Sequence, residues 1–251
     1  MTVPSHISIH FLEMRSKIHS EPMQSKFMGQ YYSDSLSARN LERCYEIVSP
    51  RIRKYLDAEM EFVQKALKPS DRVLELGCGY GRVLGGLGKA SNIVVGIDIS
   101  LGSLRYGREK DLTLSSIGLL QMTAELTAFR DDSFDVVVCI QNGISAFKVD
   151  PVSLVRESLR LAGPGGKAVF STYSDMIWEE RLDWFRLQAE EGLLGEIDWE
   201  KTKRGTIVCR DGFVATTFTE KDFHEIADEI GVSCETKEVD ASSLFGIFRR
   251  T

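Results

Sequence analysis

The sequence predicts a doubly wound α/β domain, with helices on both faces of a mostly parallel sheet. Three observations carry that prediction. Short apolar strands alternate with amphipathic helices between Asp71 and Thr172, a rhythm that specifies a parallel sheet with right-handed crossovers. The stretch Phe134–Ile140 is almost continuously apolar, as expected of a strand covered on both faces. Val73-Leu-Glu-Leu runs straight into Gly77-Cys-Gly-Tyr-Gly81. Such a turn is poor in side chains and lets main-chain N–H groups approach a ligand at the positive end of a helix.

A chain of 251 residues makes one large domain, or one domain with an appendage, and can bury a substantial core. The net charge of −6 argues against a general polyanion binder, so nucleic acid is not an expected partner. No apolar run approaches the length that spans a bilayer. The first residues lack a charged-then-apolar signal pattern, which predicts a cytoplasmic protein. The five cysteines, Cys44, Cys78, Cys139, Cys209 and Cys234, are scattered and never spaced as C-x-x-C. That pattern predicts neither structural zinc nor a disulfide framework, and no metal site is expected.

In chain order, residues 1–30 lack periodicity and hold His6, His10 and His19, which suits a loosely docked arm. Ser49-Pro50 is a helix start, with proline at the first helical position. Ile52, Tyr55, Leu56, Met60, Val63 and Leu67 follow at helical spacing, and Lys68-Pro69-Ser70 ends the helix. After the first strand and glycine turn, a helix starts at Arg82-Val83-Leu84, and Ile93–Asp98 gives the second strand. A helix from Ser100 to about Lys110 follows, then strands Ile117–Met122 and Phe134–Ile140. Asp150-Pro151 caps the next helix, Gly163-Pro-Gly-Gly166 reads as a turn, and Lys167–Thr172 is the fifth strand.

The segment 174–217 breaks this rhythm. It holds Trp178, Trp184 and Trp199, then a hairpin with Asp211-Gly212 at its turn. Such aromatic density suits a lid, a subunit contact or a helix packed on its own core. Thr219-Glu-Lys-Asp222 has the form of a capping box, opening a helix that stops at Gly231. Two closing strands, Cys234–Val239 and Leu244–Phe248, return to the sheet. The domain division expected is an N-terminal arm and helical cap over 1–49 and the main domain over 50–251, with 174–217 as its insertion.

The glycine turn and Asp98 mark a nucleoside-cofactor site, since a carboxylate ending the second strand suits a ribose hydroxyl pair. The dinucleotide fingerprint G-x-G-x-x-G/A is not matched: Arg82 stands where its third small residue belongs. A cofactor without a pyrophosphate fits better. At these residues the sequence resembles the class I S-adenosylmethionine-dependent methyltransferases. Val73–Gly81 is similar to that family's first motif, Gly96-Ile-Asp-Ile-Ser100 to its second, Thr123–Asp135 to its adenine loop, and Gly163–Gly166 to its turn before strand five. The resemblance implies a Rossmann-like seven-stranded sheet with an antiparallel last strand, and S-adenosyl-L-methionine as cofactor. It further implies that Glu75, Gly77, Cys78, Gly79 and Gly81 cradle the amino-acid end. Asp98 would then hold the ribose, Ile99, Thr123, Ala124 and Glu125 would surround adenine, and Gln141 would lie beside the cofactor. The family usually carries Asp at the position of Thr123, which moves the adenine contact to the Ala124 N–H or to Glu125.

Methyl transfer needs alignment and exclusion of water more than a dedicated base. Ligands in open α/β sheets bind at the carboxyl ends of the strands, which selects Gln141-Asn142-Gly143 and Thr172-Tyr173-Ser174. Asn142 and Tyr173 are therefore candidate acceptor contacts, and Tyr31 or Tyr32 could close over the cofactor from the N-terminal segment. Enzymes that methylate adenine amino groups or glutamine amides carry Asn or Asp followed by two prolines here, unlike Gln141-Asn142-Gly143-Ile144. With no histidine in these loops, a thiol, carboxylate or free amine acceptor is easier than an unactivated alcohol. No catalytic residue is assigned. The favoured function is methyl transfer to a small molecule by a monomer or homodimer, with a protein side chain as the alternative acceptor. The readings from other classes are a dinucleotide-dependent oxidoreductase and a non-catalytic S-adenosylmethionine-binding regulator.

Overall fold

The computed structural model describes residue 31 and residues 35–110 and 116–250. The histidines of the N-terminal arm and Tyr32 lie outside the described residues. The strands are β1 (Arg72–Leu76), β2 (Ile93–Asp98), β3 (Ile117–Gln121), β4 (Phe134–Cys139), β5 (Ala162–Tyr173), β6 (Thr206–Val208), β7 (Val214–Thr216), β8 (Ser233–Val239) and β9 (Ser243–Arg249). The helices are α1 (Ala38–Glu46), α2 (Pro50–Lys65), α3 (Leu84–Ala90), α4 (Leu101–Glu109), α5 (Gly143–Ala146), α6 (Pro151–Leu161), α7 (Trp178–Glu190) and α8 (Glu220–Ile230).

Seven strands form one sheet in the order β3-β2-β1-β4-β5-β9-β8, and β6 pairs with β7 as a separate hairpin. The pairs β1–β2, β1–β4, β2–β3 and β4–β5 are parallel, whereas β9 runs antiparallel to both β5 and β8. The closing strand thus inserts beside β5, and the fold is the doubly wound α/β sheet with an antiparallel last strand. Strand order reverses between β1 and β4, so their carboxyl ends open a crevice where ligands bind in such sheets.

Period-2 alternation sends neighbouring residues to opposite faces. Val73, Val94, Val136 and Val138 pack with Val63 of α2 and with Leu84 and Leu87 of α3. Leu74, Leu76, Val95, Ile97 and Val137 pack with Leu154, Val155 and Leu159 of α6 and with Phe223 and Ile226 of α8. The capping residues behave as their chemistry requires. Ser49 Oγ accepts from Ile52 N–H ahead of Pro50, and the side chain of Asp150 accepts from Ser153 N–H ahead of Pro151. The Thr219–Asp222 box closes reciprocally, and α8 ends at Gly231 with φ of 80°.

One element departs from expectation. β5 begins at Ala162, not Lys167: Phe134 pairs with Ala162 and Val136 with Lys167, so Gly163-Pro-Gly-Gly166 is looped out within the strand. The pairing on either side of the loop makes one strand of what reads in sequence as a turn followed by a strand.

The segment after β5 forms a subsidiary core with the N-terminal helix. Trp178, Phe185, Leu194, Ile207 and Phe213 pack together with Leu36 and with Cys44 of α1. Trp184 is buried and donates its indole N–H to the Cys44 carbonyl at 3.0 Å, whereas Trp199 is 61% exposed. Among the described residues no helix is long and apolar enough to cross a membrane.

Candidate active site

The turn after β1 is held by backbone strain that only glycine accepts cheaply: φ is +72° at Gly77, +56° at Gly79 and +84° at Gly81. Four of its five N–H groups are already committed. Gly77 and Cys78 donate to Ile97 O at 2.8 and 3.0 Å, Gly79 donates to Asp98 Oδ2 at 2.8 Å, and Gly81 donates to Cys78 O at 2.8 Å. The turn therefore offers space and carbonyl lone pairs, in place of the free N–H donors that a bare glycine turn suggests. A carbonyl-rich cradle suits an ammonium group better than a phosphate.

Above the turn lies a cavity of about 350 Å³. Glu75, Gly77, Cys78, Gly79, Asp98, Ile99, Thr123, Ala124, Glu125 and Gln141 all line it, drawn from the ends of β1, β2, β3 and β4. Gly81 does not; it closes the turn from beneath. Asp98 is fixed from two sides, Oδ1 accepting from Ser100 N–H at 2.7 Å and Oδ2 from Gly79 N–H. Burial raises its pKa and these N–H donors oppose the rise. Each carboxylate oxygen keeps a lone pair for a further donor.

Three buried polar atoms on residues lining this cavity have no hydrogen-bond partner: Glu75 Oε2, Arg82 Nη2 and Gln141 Nε2. Native proteins seldom leave such atoms unsatisfied without a reason, and among the described residues these two donors and one acceptor beside the cavity have no partner. Burial pushes the Glu75 carboxyl up to about 8, against the pull of Arg82. The Arg82 guanidinium is stacked on the Tyr45 ring at 4.5 Å, a cation–π contact that brings α1 to the cavity's edge.

The candidate acceptor contacts lie elsewhere. Asn142 is buried behind the wall: its Nδ2 donates to Thr216 O at 2.9 Å and its Oδ1 accepts from Thr172 Oγ1 at 2.8 Å. It pins the β6–β7 hairpin to the sheet. Tyr173 is buried between Tyr55, at 5.3 Å between ring centroids, and Arg181, at 4.2 Å from its ring. Burial raises the Tyr173 hydroxyl to about 12. Asn142 and Tyr173 border a small chamber of about 30 Å³ that shares Gln141 and Ala146 with the main cavity. Tyr31 packs on Phe213 at 5.0 Å and donates to Asp211 Oδ2 at 2.6 Å, on the hairpin and away from the cavity lining.

Sequence reasoning missed five contributors. Leu41 and Tyr45 reach the cavity from α1, and Phe147 covers Gly77, where an added Cβ would stand 2.6 Å from the ring. Arg82 registered only as a mismatch to the dinucleotide pattern. Glu59 is buried beneath the site, where Ser171 Oγ donates to its Oε1. Its signal was present: Glu59 interrupts the apolar stripe of Ile52, Tyr55, Leu56 and Val63 on α2.

A central stretch of the chain is similar to known methyltransferase domains. Residues 74–170 match a family model described as a methyltransferase domain. Over 103 residues, 40% of this chain, the sequence is 35% identical to a ubiquinone biosynthesis O-methyltransferase from Alkalilimnicola ehrlichii. Over 107 residues, 43% of the chain, it is 33% identical to a demethylmenaquinone methyltransferase from Corynebacterium kroppenstedtii. The aligned stretch spans less than half the length of these curated relatives, 41% and 44%. Among solved structures, magnesium protoporphyrin IX methyltransferase from Synechocystis PCC 6803 superposes with a TM-score of 0.62 at 16% identity, covering 90% of this chain and 99% of that one. At that identity the likeness is one of fold.

Proposed function

We propose that the chain is an S-adenosylmethionine-dependent methyltransferase acting on a small molecule. One observation carries this reading: the glycine turn, Asp98 and Thr123–Glu125, distant in sequence, converge on a single cavity beside the buried charged groups Glu75 and Arg82. Asp98 is suited to the ribose hydroxyls, because both its oxygens are held rigidly yet can accept again. Ile99 and Thr123-Ala124-Glu125 are suited to flank the adenine. At the other end, Glu75 and the turn carbonyls suit the α-ammonium, and the Arg82 guanidinium suits the α-carboxylate.

When bound, the cofactor supplies an electrophilic methyl on its sulfonium, so the protein's task is alignment and exclusion of water. Gln141 lines the inner end of the cavity, and its free Nε2 donor can orient an acceptor oxygen or the donor itself. Leu41, Tyr45 and Phe147 supply apolar cover. Residues 35–49 and the insertion 174–217 act as a cap, a reading supported by the core they share. The named activities of the curated relatives support a small-molecule acceptor.

The test is incubation of the purified chain with methyl-labelled S-adenosylmethionine and fractionated metabolite extract, identifying the labelled product by mass. Label in a small molecule supports the proposal. Label confined to protein overturns the acceptor class, and no label in any fraction supports a binding protein without turnover.

A further inference from the structure

Glu59 is a fully buried carboxyl on α2 that the methyl-transfer reading does not use. Its Oε1 is tied to the site by a short chain of hydrogen bonds. Gln141 N–H donates to Ser171 Oγ at 2.8 Å and lies 3.3 Å from Glu59 Oε1, and the Ser171 hydroxyl donates to that same oxygen. This clamp sits where the backbone is strained. Gln141 and Asn142 are consecutive left-handed residues, with φ of 57° and 63°, at the end of β4. Non-glycine residues persist there only when the surroundings over-determine them. Gln141 in turn lines both the main cavity and the small chamber, with its Nε2 unpartnered.

We propose that Glu59 is a positioning residue for the methyl donor: through Ser171 it fixes Gln141 at the inner end of the cavity, and its buried carboxylate biases that end toward a cationic group. The inference rests on the S-adenosylmethionine reading and extends it. A sulfonium is positive before transfer and neutral afterwards, so a negative charge buried behind Gln141 favours the donor over the spent cofactor.

The groups facing Glu59 are Arg82 after the glycine turn, Tyr55 on α2 itself, Cys139 on β4, Tyr173 on β5 and Ser243 on β9, with Tyr45 of α1 beyond Tyr55. Glu75 on β1 lies beyond Cys139 and Arg181 on α7 beyond Tyr173. Burial pushes Glu59 up to about 7, opposed by the Ser171 hydrogen bond and by Arg82. The carboxyl is therefore neutral in mild acid and charged above neutrality. Glu75 is also raised, to about 8, so the pH dependence is assigned to Glu59 by its loss in Glu59→Gln.

The test uses the full chain and two stable ligands, with affinities measured by isothermal titration calorimetry from pH 6 to 8. Sinefungin carries an ammonium where S-adenosylmethionine carries its methyl, and S-adenosylhomocysteine is neutral there. In the wild type, the affinity ratio of sinefungin to S-adenosylhomocysteine should rise about tenfold over this range, the expectation for one carboxyl ionising near its middle. In Glu59→Gln the ratio should stay flat while S-adenosylhomocysteine still binds. A flat ratio in the wild type, or a persisting rise in Glu59→Gln, overturns the role of Glu59. Binding of neither ligand at any pH overturns the cofactor reading instead, and this inference with it. Should Glu59→Gln not fold, Ser171→Ala decides: loss of the hydroxyl that favours the ionised form must move the rise to higher pH, and an unmoved rise overturns the proposal.

Discussion

Gly79 N–H donates to Asp98 Oδ2 at 2.8 Å, so the glycine turn after β1 and the carboxylate ending β2 are one hydrogen-bonded unit. The contact explains how an acidic side chain at a strand end is aimed over the turn before any ligand arrives. It also explains why Asp98 acts on the shape of the site as well as on its charge.

Asp98→Asn should weaken S-adenosylhomocysteine binding by about 10- to 100-fold, since a hydrogen bond to a charged group contributes about 1.5–3 kcal/mol. The amide keeps one acceptor for Gly79 or Ser100 but cannot serve both and still accept from ribose hydroxyls. Titration calorimetry on both proteins checks this. An unchanged affinity would show that Asp98 does not touch the ligand.

Asn142→Ala should separate stability from binding. It removes the bonds to Thr216 O and Thr172 Oγ1 and leaves the buried Thr172 hydroxyl without its acceptor, which typically costs about 1–3 kcal/mol. The melting temperature should fall by several degrees while S-adenosylhomocysteine affinity stays within about threefold. The reverse pattern would give Asn142 a direct role in the cofactor site.

Gly107→Ala tests how α4 packs against the turn. An added Cβ would stand 2.3 Å from the Tyr80 carbonyl oxygen, a backbone atom that cannot move aside cheaply. Overpacking of this kind costs about 1–3 kcal/mol, and thermal unfolding should register it. Gly212→Ala, with nothing near its added Cβ but φ of +94°, should be milder.

Much of this arrangement was legible in the sequence. The strand–turn register at Val73–Gly81, Asp98 at the end of β2 and the loop at Thr123–Glu125 are local signals. Chain continuity alone carries each to the carboxyl edge of a parallel sheet. What was not legible depends on distant packing. Tyr45 reaches Arg82 only because α1 docks on the insertion after β5. Asn142, at a position where loop residues usually meet ligands, instead turns its amide toward β7. The commitment of the turn N–H groups to Ile97 and Asp98 requires the β1–β2 pairing in three dimensions.

Glu59 supplies a pH prediction for the apo protein. Its carboxyl is raised to about 7 in the folded chain by burial, against an ordinary value of about 4.3 when unfolded. A raised folded value means the group contributes its stability below the unfolded value. That contribution falls as pH rises through the folded one. Glu59→Gln, which cannot ionise, should therefore gain stability relative to the wild type between about pH 4 and pH 7. Melting temperatures at pH 5 and pH 8 check this: the difference between variant and wild type should be larger at pH 8. An equal difference at both would mean Glu59 ionises normally in the folded chain.

The most direct test of the central claim is ligand binding by the wild-type chain. Titration calorimetry should give saturable binding of S-adenosylmethionine and S-adenosylhomocysteine with affinities on the order of micromolar, and no heat with NADH or NADPH. Binding of a nicotinamide dinucleotide with no response to S-adenosylmethionine would contradict the account.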